Sequence, residues 1–151
     1  AQFDPGLSWD YVKWIRKLWK GPLVLKGILD EEDVKIAKNL DIQAIIVSNH
    51  GGRQLDGTIS SIMALKKIVN NVETDMDIYF DGGIRSGQDI IKALSIGAKG
   101  VFMGRPYLYG LGALGKKGVE KVISILKKEL NTALVLSGET NVNDLGLDNL
   151  Y

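Results

Sequence analysis

The sequence contains no cysteine. That removes disulfides, thiolate metal sites and thiol nucleophiles together. It contains one histidine, His50, which excludes a histidine-rich metal site. No apolar run approaches the ~18 residues of a membrane-spanning helix. Neither sign of charge is in excess: 19 basic and 18 acidic residues leave a net charge of +1. Nucleic-acid binding needs a marked basic excess, so no nucleic-acid partner is expected. The opening Ala1-Gln2-Phe3-Asp4-Pro5 is neither basic nor followed by an apolar core, unlike a secretory signal. The expected setting is cytoplasmic.

What is present is the composition of a soluble globular domain: 151 residues, 45% hydrophobic, 25% charged, with 18 glycines. One domain over 1–151 is the expectation at this length. The apolar pattern alternates between two kinds of segment. Short, nearly continuous apolar runs at 23–28, 44–48, 78–81 and 100–104 read as strands buried on both faces. Between them lie helical patterns. Asp30 reads as an N-cap ahead of Val34, Ala37 and Leu40. Ile59, Ile62, Met63, Leu65 and Ile68 make the next apolar face. Ser86 caps a third helix that ends at Gly97. The last long helix is expected over about 116–136, and a front helix over about 8–20. Residues 141–151 read as a loosely ordered tail.

The order is therefore one helix, then strand–helix four times. That implies an α/β fold with parallel strands joined by right-handed crossovers. Four such units make a small open sheet or half of a TIM barrel, whose full form needs roughly 250 residues. Glycine-rich segments follow strands two, three and four, at the strand ends that carry ligands in such folds.

Four constellations carry candidate chemistry there. After strand two comes Ser48-Asn49-His50-Gly51-Gly52-Arg53-Gln54-Leu55-Asp56-Gly57. Histidine is the side chain whose unperturbed pKa lies near neutrality, which makes His50 the natural proton acceptor. The planar fork of Arg53 suits a carboxylate. After strand three comes Asp81-Gly82-Gly83-Ile84-Arg85-Ser86-Gly87, and after strand four Gly104-Arg105-Pro106. Glycines at a helix N-terminus offer N–H groups to an anion, and Arg85 and Arg105 add charge. Lys26, inside an apolar strand, reads as aimed at an anion or carbonyl, or as reaching solvent. The same residues also fit a solvated loop and two tight turns. The front helix interleaves Trp9, Tyr11, Trp14 and Trp19 with Lys13, Arg16, Lys17 and Lys20. It either packs its aromatics on the sheet or lies on an anionic membrane surface.

Together, Leu25-Lys26-Gly27-Ile28, the run 48–57, the run 81–85 and Gly104-Arg105-Pro106 resemble the FMN-dependent α-hydroxy acid dehydrogenase and oxidase family. The opening residues, with Ser8-Trp9 and Trp14-Ile15-Arg16, look most like its bacterial quinone-linked L-lactate dehydrogenases. The resemblance covers the whole chain but only the carboxyl-terminal half of a family member, strands five to eight of the barrel. It implies FMN as cofactor, a small L-2-hydroxy acid such as L-lactate as substrate, and a quinone as electron acceptor. It assigns His50 as the base that also contacts substrate and Arg53 as the substrate-carboxylate ligand. Lys26 would sit beside the flavin N1 and C2 carbonyl, with Ser48 touching the flavin. Asp81, Gly82, Gly83, Ile84 and Arg85 would wrap the ribityl chain and phosphate, and Gly104 and Arg105 would form a second phosphate turn.

In family members the other half supplies substrate-binding tyrosines, a further arginine and the aspartate that orients the histidine. Half a barrel leaves two sheet edges and one face open. The expectations are a fragment of a longer product, half of a two-chain barrel, or a homo-oligomer. Peripheral membrane contact is a further expectation. A non-catalytic phosphate- or flavin-binding module, or a structural fragment that self-associates, is the alternative function.

Overall fold

A computed structural model describes residues 6–150. The opening residues 1–5, used for the resemblance, and Tyr151 lie outside the described residues. The elements run α1 (Trp9–Leu18), β1 (Val24–Ile28), α2 (Glu31–Asn39), β2 (Ala44–Ser48), α3 (Ser61–Asn71), β3 (Asp77–Asp81), α4 (Gly87–Ile96), β4 (Gly100–Phe102) and α5 (Arg105–Leu136). A single 3-10 turn, His50–Gly52, follows β2. The four strands form one sheet in the order β1-β2-β3-β4, every neighbouring pair parallel. This is the arc of strand–helix units expected for half of a TIM barrel.

Local chemistry sets the helix starts. The Asp30 carboxylate accepts from the Glu32 N–H at 2.8 Å, and Glu31, Glu32 and Asp33 fill the first turn of α2. Acids there oppose the positive end of the helix dipole. Ser86 and Asp89 form a reciprocal capping box at the start of α4.

Strand register divides the sheet into two unlike faces. Side chains alternate between faces along a strand. Ile45, Val47 and Phe80 point to the helix layer and join Val34, Ala37, Ala64, Leu65, Ile68 and Ala93 in one buried core. Each fully buried aliphatic side chain contributes roughly 1.5–3 kcal/mol, so stability is concentrated on this face. The opposite face carries Lys26, Ile46, Tyr79 and Gly100 in one row and Ser48, Asp81 and Phe102 in the next. It is partly open: Val24 is 46% and Phe102 45% exposed.

Three sequence expectations change here. Only β2 is buried along its whole length; β1, β3 and β4 are partly exposed. The last long helix spans 116–136 as expected, but a short helix over 105–113 that the sequence did not suggest precedes it: α5 is broken at Leu114 and Gly115, whose backbones leave the helical region. Gly110 and Gly118 let those two segments touch backbone to backbone. The tail is folded rather than loose. It forms 3-10 turns at Val142–Asp144 and Leu147–Asn149, fastened by Asn141 Oδ1 to the Asn143 N–H (3.0 Å) and by Asn149 Nδ2 to Glu139 Oε1 (3.1 Å).

The front helix is held by a charge rather than by its aromatics. No residue of α1 is buried, and Trp14 and Trp19 are more than half exposed. Only Trp9 and Val12 reach the core edge. Arg16 donates to the Asp41 carbonyl and Gln43 Oε1 (both 3.2 Å), to the Gly21 carbonyl (2.9 Å) and to the Trp19 carbonyl. Lys116, Lys117, Lys127 and Lys128 are solvated, as their spacing suggests.

Candidate active site

The carboxyl ends of the four strands surround one cleft of about 300 Å³. Lys26, His50, Arg53, Asp81, Gly82, Gly83, Ile84, Arg85, Gly104 and Arg105 all line it. Phe102, Met103, Tyr107 and Leu108 complete its wall and were not singled out from sequence. Their signal was available: Phe102 ends β4, Met103 follows it directly, and Tyr107 and Leu108 fall in the first turn of α5.

Lys26 is the first fixed point. Its Nζ donates to Asp81 Oδ2 at 2.5 Å and to Ser48 Oγ at 3.0 Å. Register explains the meeting, since β1, β2 and β3 lie side by side and present these side chains on one face. An ammonium has three N–H donors. Two are used, and the third has no partner among the described residues. Partial burial raises the pKa of Asp81, but the Lys26 and Ser48 hydrogen bonds and the Lys26 and His50 charges outweigh it. The net effect holds the carboxyl below its ordinary value of 3.8. Asp81 is therefore a carboxylate at neutral pH, and Lys26 keeps its counter-ion.

His50 is placed by an unusual backbone. Its φ is +56°, sparsely populated for a residue with a Cβ. Gly51 follows at φ +68°, and its N–H is taken by Asn49 Oδ1 at 3.0 Å. The imidazole rests on the bulge in β1. A Cβ added at Gly27, which has φ +99°, would lie 2.7 Å from His50 Cε1, so only glycine admits the ring there. The imidazole nitrogens make no hydrogen bond with any described residue. Arg53 Nε donates to the His50 carbonyl at 3.1 Å, which places its guanidinium at the same rim.

The two glycine–arginine turns differ. At α4 the amides are already taken. Asp89 Oδ2 accepts the Arg85 N–H (3.0 Å) and the Ser86 N–H (2.9 Å), and Glu129 Oε2 accepts the Gly87 N–H (3.0 Å). At α5 the cap is Gly104, which has no side chain to offer, and the first turn contains no acid. Arg105 stands beside it, with Nη2 donating to the Gly51 carbonyl at 3.2 Å. A Cβ at Gly83 or Gly104 would meet nothing within 4 Å, so both turns face open space. An exposed helix N-terminus with an adjacent arginine suits a phosphate dianion. In eight-stranded barrels the phosphate site lies after strands seven and eight, at the N-terminus of a short extra helix. The 105–113 segment has that placement.

Ser48 stands apart from the other candidates. It is completely buried and does not line the cleft; it lies beneath Lys26 and Asp81.

The FMN-dependent dehydrogenase family matches residues 1–151. The chain belongs to that family. It is 45% identical over 150 residues to an L-lactate dehydrogenase of Pectobacterium atrosepticum, covering 99% of this chain and 39% of that protein. It is 48% identical over 148 residues to an L-lactate dehydrogenase of Actinobacillus pleuropneumoniae serotype 5b, covering 98% and 39%. Among solved structures, it matches the monotopic membrane protein (S)-mandelate dehydrogenase at 38% identity and a TM-score of 0.92, over 98% of this chain and 39% of that one. It also matches a mandelate oxidase variant carrying a monooxide FMN adduct at 42% identity and a TM-score of 0.86, over 94% and 45%. The chain thus spans about two fifths of the length of the curated relatives it matches.

Proposed function

We propose that residues 1–151 are the carboxyl-terminal half of an FMN-dependent dehydrogenase barrel, and that the complete barrel oxidises L-lactate to pyruvate and passes the electrons to a quinone. The observation that carries this is the convergence of a base, four cationic side chains and an open helix N-terminus on one cleft. The residues fit FMN: Arg105 and the open N-terminus of α5 at Gly104 would hold its phosphate, Gly83 and Arg85 would flank it without the α4 amides, and the spare Lys26 N–H would face the ring. When bound, FMN supplies the acceptor for the two electrons that leave the substrate carbon.

The chain's own side chains do the rest. Arg53 pairs with the substrate carboxylate and turns the hydroxyl-bearing carbon toward His50. His50 takes a proton from the substrate and holds it as imidazolium. Asp81 holds the Lys26 ammonium in place. Ile84 and Phe102 provide apolar wall that limits water around the reacting atoms.

The test is an absorbance spectrum of the chain with FMN, before and after anaerobic L-lactate. A bound flavin band that bleaches supports the reading. His50→Gln is expected to keep the band and stop its bleaching; bleaching at the wild-type rate would remove His50 from the chemistry.

A second reading has its own support. The phosphate side is complete within this chain, whereas the His50 ring has no orienting partner among the described residues. Anion or flavin binding without turnover follows for the chain alone, and a band that does not bleach would favour it. The open sheet face and edges support pairing with an amino-terminal half or with a second copy. The exposed Trp14 and Trp19 beside Lys13, Lys17 and Lys20 support peripheral contact with the cytoplasmic face of a membrane. No helix among the described residues is long and apolar enough to cross one.

A further inference from the structure

We infer that Ser48 is a positioning residue whose hydroxyl ties the His50 backbone and the Lys26 ammonium to the Asp81 carboxylate, so that base and lysine reach the ligand as one unit. This rests on the reading of the cleft as a flavin and substrate site.

A hydroxyl donates one hydrogen bond and accepts two. Ser48 makes all three. Its Oγ lies 3.0 Å from Lys26 Nζ, 3.0 Å from the His50 backbone nitrogen and 2.7 Å from Asp81 Oδ2. An ammonium and an amide can only donate, and an ionised carboxylate can only accept. The hydrogen direction is therefore fixed: Ser48 donates to Asp81 and accepts from the other two. Lys26 also donates directly to Asp81 at 2.5 Å, which closes a triangle.

Three elements meet at this one buried oxygen. Lys26 comes from β1, Asp81 from β3, and His50 from the turn after β2. The His50 amide is the bond with the most to hold, because that residue sits at φ +56°. Its ring then leans on Gly27, the neighbour of Lys26. The lysine and the base are thus joined twice, through the Ser48 oxygen and across the β1 bulge. A hydroxyl placed only to fill space would not need its full valence, and Ala44 and Ile46 fill the same face of β2 without polar atoms.

The test uses the ligand-free chain and nuclear magnetic resonance. In Ser48→Ala the Asp81 carboxyl is expected to titrate higher, toward 3.8, because one of its donors is gone. The His50 amide is expected to exchange with solvent roughly tenfold faster, the loss of about one hydrogen bond. The Ile45 and Val47 amides keep their protection. Ser48→Thr, which retains the hydroxyl, restores both values. Ser48→Cys keeps the side-chain shape with a weaker donor and moves both in the same direction as alanine, which covers a failure of the alanine variant to fold. Unchanged Asp81 titration with unchanged His50 exchange would overturn the inference. So would protection lost evenly along β2, the mark of a serine that only supports the strand. No flavin is present in these measurements, so failure of the chain to bind FMN would count against the functional reading alone.

Discussion

Two helix N-termini open toward the same cleft, each after a glycine turn and each beside an arginine, yet only one is free to hold an anion. At α4 the amides of Arg85, Ser86 and Gly87 are bound by the chain's own carboxylates, Asp89 and Glu129. At α5 the cap is a bare glycine, no acid occupies the first turn, and Arg105 is adjacent. A glycine–arginine turn thus locates a helix start but does not say whether its dipole is already spent. The two ends therefore differ in what they can accept: the amides of α4 are fastened by the chain itself, and the N-terminus of α5 is left open to an anion.

The largest expected effect lies at the open end. Arg105→Ala is expected to weaken FMN binding by about 1.5–3 kcal/mol, the range for hydrogen bonds to charged groups. Unchanged affinity in a fluorescence titration would place the phosphate elsewhere. The fastened end responds in stability instead. Asp89→Ala removes the capping box and is expected to cost about 0.5–2 kcal/mol in denaturant unfolding. The same variant keeps FMN affinity near wild type; a large affinity loss would mean α4 is part of the phosphate site after all. Arg85→Ala, an exposed charge beside amides already taken, is expected to change FMN affinity by less than about 1 kcal/mol. An effect equal to that of Arg105→Ala would erase the distinction between the two turns.

The smallest effect is a pH dependence. The Asp81 pKa is lowered in the folded chain, so the folded state binds this proton less readily than the unfolded one. Its stabilising contribution is complete above the ordinary carboxylate value of 3.8 and is lost as the pH falls through the depressed native value. Lys26→Met should flatten that part of an acid-unfolding profile. An identical profile for wild type and variant would show that the Lys26–Asp81 pair contributes nothing there.

Much of this was legible in the sequence, for a physical reason. Strand and helix periods differ, so the four strand–helix units declare themselves in the apolar pattern. Lys26, His50, Arg53 and Arg105 are polar residues at the ends of apolar strands, and strand ends converge in a parallel sheet. What stayed hidden depends on contacts between distant segments. Glu129 closes the α4 N-terminus from 42 residues away, with no local signal. The Ser48 triangle depends on register across three strands. The Ser86-Gly87-Gln88-Asp89 spacing did carry the capping-box signature, and it was the available warning that α4 is already occupied. The aromatic spacing of α1 fitted either a packed or an exposed stripe, and it is Arg16 with its carbonyl partners that fixes where the helix sits.

In the proposed function this chain holds the phosphate of FMN at the N-terminus of α5. The most direct measurement titrates the chain with FMN and, separately, with riboflavin, which has the same ring and no phosphate, while following flavin fluorescence. Tighter binding of FMN than of riboflavin is expected, with the difference abolished in Arg105→Ala and preserved in Arg85→Ala. Equal affinity for the two flavins in the wild-type chain, or binding of neither, would contradict it.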